Sequence, residues 1–85
     1  MVKLPKLALG DPVCVNWRDA YSFPGWHAPE DYESWWPQLA HVITVSIYVH
    51  HDAVNLHLAQ SVRGDRLADI IEIPRSLIDK IKILK

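Results

Sequence analysis

The residues best equipped for chemistry fall into two groups. The first is a run of aromatic side chains, Trp17, Tyr21, Phe23, Trp26, Tyr32, Trp35 and Trp36, interleaved with Asp19, His27, Glu30 and Asp31. Rings at this density either bury against one another and a partner surface or offer flat faces to a nucleobase, each stacked base being worth ~1 to 3 kcal/mol. The second group is cationic: Arg18, Arg63, Arg66 and Arg75, of which Arg63 and Arg66 flank Gly64-Asp65. A planar guanidinium grips a phosphate through two parallel hydrogen bonds. Gln60-Ser61, just upstream, brings an amide and a hydroxyl that can orient a base. Trp17, Asp19, Tyr21, Trp26, Trp35, Gln60, Ser61, Arg63 and Arg66 therefore form the candidate ligand set. Each also has a plainer role: rings closing a small core or a subunit interface, arginines solvated at a turn, Gln60-Ser61 capping a strand end.

Other chemistries find less support. His27, His41, His50, His51 and His57 invite a metal, yet no pair has helical i, i+4 spacing in a plausible helix and no cysteine pair accompanies them, so no metal is expected. Cys14 sits between Val13 and Val15, where a buried thiol acts as a small hydrophobe. Asp19, Glu30, Asp31 and Asp69 show no spacing that brings two carboxylates to one substrate atom, and three glycines cannot build a phosphate-cradling loop. The Arg63-Gly64-Asp65 string carries no weight in a cytosolic chain. The expectation is a binding protein with no catalytic residues and no cofactor.

The elements that must position these residues are short strands. The chain has 85 residues, 49% of them hydrophobic, with nine basic against ten acidic side chains, which gives one small domain over 1–85 and no global attraction to nucleic acid. Its longest apolar stretch, Val42 to Val49, is far below the ~20 residues that cross a bilayer. No signal-peptide core follows Met1-Val2-Lys3, and Cys14 has no partner for a disulfide, so a reducing cytosol is expected. After the Gly10-Asp11-Pro12 turn, Val13, Val15 and Trp17 alternate with Cys14, Asn16 and Arg18 as a strand. Residues 19–38 form a long aromatic loop in which Pro29 to Trp36 reads as a short helix. His41 to His50 and Ala53 to Ser61 read as a hairpin turning at His51-Asp52. That turn sets Val49, Ile47 and Val45 against Val54, Leu56 and Leu58 on the core face, and pairs Tyr48 with Asn55 and Ser46 with His57 outside. Leu67 to Ile73 follows the Arg63–Arg66 turn, Pro74 to Leu77 makes a helical turn, and Ile78 to Leu84 is the last strand. Residues 1–8 and Lys85 are expected to be mobile ends.

Five short strands, a long loop after the first and one helical turn before the last describe a mainly β protein, a small SH3-like or Sm-like barrel, with an open five-stranded sheet as the alternative. The chain also resembles a group of small proteins of bacteriophage and prophage genomes. The resemblance rests on Gly10-Asp11-Pro12-Val13, Trp17-Arg18-Asp19-Ala20, Ser22, Gly25-Trp26, Leu58-Ala59-Gln60-Ser61, Ile73-Pro74, Ile78, Ile81 and Leu84, and its longer Trp-rich loop departs from that pattern. It implies a small β fold in a viral setting. By analogy of class, some small phage proteins are sponges that sequester nucleotide signals of bacterial immunity. Three expectations follow: a homo-oligomeric sponge for a nucleotide or cyclic oligonucleotide, an Sm-like or SH3-like module for RNA or a protein partner, or a structural phage component.

Overall fold

The computed structural model describes residues 1–19, 26, 28–30 and 41–84. It contains one antiparallel sheet built from β1 (Pro12–Arg18), β2 (His41–His51), β3 (Asn55–Arg63), β4 (Arg66–Pro74) and β5 (Ile78–Ile83), with a 3-10 turn over Arg75–Leu77. The order across the sheet is β4-β3-β2-β1-β5. No described helix is long and apolar enough to cross a membrane.

Connectivity forces the sheet to curl. β4 and β5 occupy opposite edges, four strand spacings or roughly 19 Å apart if flat. The chain links Pro74 to Ile78 in four residue steps, a reach of at most ~14 Å. The two edges must therefore bend toward each other. No ladder joins β4 to β5, so the sheet is curved and open.

The concave face holds the core. Val13, Val15 and Trp17 of β1, Tyr48 of β2, Leu56 and Leu58 of β3, Ile73 of β4 and Ile78 of β5 pack together there. The alternation read in β1 is thus the observed one. Val2 and Leu7 from the N-terminal segment also pack on this cluster. A β-turn leads into β1: Asp11 N–H donates to Ala8 C=O at 3.0 Å, and Gly10 supplies the φ of 98° that a side chain would strain.

The β2–β3 hairpin turns later than its β-branched runs imply. His51 lies opposite Leu56, His50 opposite His57, Tyr48 opposite Leu58 and Ile47 opposite Ala59, with a bulge between Tyr48 and His50. Asp52 explains the shift, because its Oδ1 accepts the amides of Val54 (2.8 Å) and Asn55 (2.7 Å) and so builds the turn after itself. Arg75 fastens the same turn, donating its amide to Val54 C=O and its Nη1 to Asp52 C=O, each at 2.8 Å. The later turn takes Val54 out of the strand, and the bulge, a slip of one residue, turns Val45 outward and Tyr48 inward, so Val45 and Val54, expected in the core, are more than half exposed and Tyr48 is buried. His57 likewise faces His50 rather than Ser46. Before the bulge the even residues of β2 point inward; after it His51 does, and Tyr48 Oη meets His51 Nδ1 at 2.7 Å.

Candidate ligand-binding surface

Residues directly opposite in antiparallel strands share a face, so the register maps the site. Arg63 lies opposite Arg66 and Ser61 opposite Ala68, which puts all four on the convex face at the far end of the β3–β4 hairpin. The turn between them has Gly64 at φ 58° as its first central residue, the position a II′ hairpin reserves for glycine. Ser61, Arg63, Arg66, Leu67 and Ala68 line a shallow hollow. Gln60 is exposed beside Ser61 on β3.

Two like charges facing each other across a ladder oppose the fold locally. Arg66 Nε has Asp65 Oδ1 at 3.8 Å, but both side chains are almost wholly in water, so that contact stabilises little. The tip consequently presents two guanidinium groups from adjacent strands next to a hydroxyl and the apolar edge of Leu67. This arrangement can hold an anion between the two forks.

The remaining candidates are spread out. Trp17 is buried, and its Nε1 donates to Thr44 Oγ1 at 2.9 Å, so its ring belongs to the core and leaves no free face for a base. Asp19 is exposed just after β1, and Trp26 is fully exposed. Tyr21 and Trp35 lie outside the described residues, as do Phe23, Tyr32, Trp36 and all but the first two residues of the short helix expected over 29–36. Of the nine candidates, the structure gathers Ser61, Arg63 and Arg66 on one face, while Gln60, between Ala59 and Ser61, alternates onto the other.

Two features were missed by reading the chain alone. One is a polar cluster near the opposite end of the hairpin. His57 Nδ1 lies 3.4 Å from Glu72 Oε1, its Nε2 lies 3.8 Å from Asp52 Oδ2, and the His50 ring sits 5.6 Å away. The amide bonds from Asn55 and Val54 hold the Asp52 carboxyl below its ordinary range, and His57 adds to this. Had the turn been placed after Asp52, parity would have paired the two histidines. Among the described residues, no group of three or more His, Cys, Asp or Glu is arranged to hold a metal ion. The other feature is an apolar strip on the convex face: Ile43, Val45 and Ile70 are more than half exposed, with Ile47, Ala59 and Ala68 completing the strip. Cys14 lies on that face between Val45 and Lys82, half-buried rather than in the core.

No protein-family model matches this chain, and no curated protein or solved structure matches it.

Proposed function

We propose that this chain is a non-catalytic binding protein of the phage type, an SH3-like or Sm-like barrel that sequesters a small anionic, nucleotide-like ligand as a homo-oligomer in the cytosol. The observation that carries this reading is the cross-strand pair Arg63 and Arg66, facing each other on one side of a fixed turn with Ser61 beside them. Such a pair costs the fold something and stabilises nothing nearby, which marks a place where an anion belongs. Support for the barrel comes from the strand order, from the three-residue 3-10 link between edge strands and from the curl that this link imposes. Support for association comes from the small core and the exposed apolar strip.

Calorimetric titration with a panel of mononucleotides and cyclic oligonucleotides tests the reading. Saturable binding is expected, and Arg63→Ala or Arg66→Ala should weaken it at least tenfold without lowering the unfolding midpoint. An affinity indifferent to both substitutions, or no binding across the panel, would remove the proposal.

The exposed strip Ile43, Val45 and Ile70 favours a second reading, a protein partner docked on the convex face. In that case Val45→Lys abolishes capture of the partner, whereas Arg66→Ala does not. RNA would instead show a steep salt dependence of binding.

A further inference from the structure

The β3–β4 ladder is broken at one point. Its pairing runs from Asn55 opposite Pro74 to Ala59 opposite Ile70, then resumes at Ser61 opposite Ala68 with no change of register, skipping Gln60 and Asp69. Asp69 has φ 56°, which makes it the one non-glycine residue at positive φ among the described residues. An L-residue in this left-handed region is strained; aspartate tolerates it better than most, and β-branched residues hardly at all. The strain lies on β4, whose outer edge has no neighbouring strand.

A change of environment coincides with the break. Leu56, Leu58, Ala59 and Ile73 are fully buried, whereas every residue from 60 to 70 is exposed. The missing pair and the strained backbone thus coincide with the end of the core on β3, while on β4 the fully buried positions stop at Ile73 and exposure is continuous from Ile70 to the tip. A two-stranded ribbon beyond a core is of marginal stability by itself, and rigid-body pivots are made by a few residues that absorb the φ/ψ change.

We infer that Gln60 and Asp69 are a hinge, dividing the hairpin into a base docked on the core and a distal arm, residues 61–68, that swings as a unit. The arm carries Ser61, Arg63 and Arg66, so its motion sets how the cationic turn meets an anion. That use rests on the ligand reading above; the hinge itself rests only on the backbone and burial. A competing role for the kink is to block edge-to-edge pairing of β4.

Residue-resolved amide hydrogen exchange on the full chain, compared with Asp69→Gly and Asp69→Val, decides. The hinge predicts that the ladder-bonded amides among residues 61–63 and 66–68 share one opening rate, at least tenfold faster than the ladder-bonded amides among 56–59 and 70–73, with the step at Gln60 and Asp69. Asp69→Gly should keep the step and Asp69→Val should reduce it below threefold. A smooth gradient from the tip inward would overturn the hinge. So would a step unchanged in a folded Asp69→Val, or a rigid arm whose Asp69→Val form merely self-associates. If Asp69→Val does not fold, the wild type and Asp69→Gly still decide between step and gradient. A chain that shows the step and binds no nucleotide keeps the hinge and loses the ligand reading.

Discussion

The two ends of the β3–β4 hairpin have the same strands and the same register but different surroundings. At the base, Leu56 lies opposite Ile73 and both are fully buried; toward the tip, Val62 lies opposite Leu67 on the same face and both are partly in water. An apolar cross-strand pair therefore does not by itself make a core. What differs is what packs against that face, since Val13, Val15 and Trp17 of β1 and Tyr48 of β2 join the base in one cluster while nothing among the described residues covers the tip. The base spends its side chains on stability, and the tip is left free to carry Ser61, Arg63 and Arg66.

Substitutions can break or sharpen this contrast. Leu56→Ala should have the largest effect, about 2 to 5 kcal/mol from lost burial and the cavity left behind. Val62→Ala, on the same strand and face, should cost less than about 1 kcal/mol. Urea denaturation of both variants measures the difference, and similar losses would show that the tip is covered after all.

Trp17→Phe comes next. It removes the indole donor to Thr44 Oγ1 and some packed volume, an expected loss of about 1 to 2 kcal/mol. Because Trp17 serves the core, nucleotide affinity should be unchanged once the variant is folded. A loss of affinity larger than the loss of stability would return Trp17 to the ligand site.

That pair of variants also separates what was legible in the chain from what was not. Strand existence was readable, since Val13, Val15 and Trp17 alternate cleanly and Pro74 ends β4. The Arg63–Arg66 turn was readable as well, because Gly64 fits only a few turn types. The register of β2 against β3 was not. Val45, Ile47 and Val49 satisfy the parity of a two-residue turn; the Asp52 carboxylate, binding two amides beyond it, moves the turn onward, and a bulge at Val49 then slips the pairing by one residue. That one-residue slip, which no residue pattern announces, reversed the faces of β2, so Tyr48 went inside and Val45 outside. Of the candidate site, the Gln60 to Arg66 part follows from turn chemistry. Trp17 stood both in the β1 alternation and among the candidate ligand residues, and spacing cannot reveal the hydrogen bond to a residue 27 positions away that ties it to the core.

The smallest effect is expected at Asp52. Its carboxyl is held below the ordinary range by the Asn55 and Val54 amides, so its contribution is fully present above the unfolded pKa of about 3.9 and is lost as pH falls through the lower folded value. Asp52→Ala should flatten the dependence of the unfolding midpoint on pH as the pH falls below about 5. At neutral pH the same variant should loosen the β2–β3 turn and leave exchange in the distal arm untouched. An acid limb as steep as in the wild type would mean that other carboxylates carry it.

The central claim is that the cationic turn holds a small anionic ligand. Native mass spectrometry of the protein purified from cells, then incubated with nucleotides and compared with the Arg63→Ala/Arg66→Ala double variant, tests it most directly. The account predicts an oligomer carrying a stoichiometric nucleotide mass in the wild type and the same oligomer without that mass in the variant. A wild-type species with no added mass under either condition, or an equal load on both proteins, would contradict it.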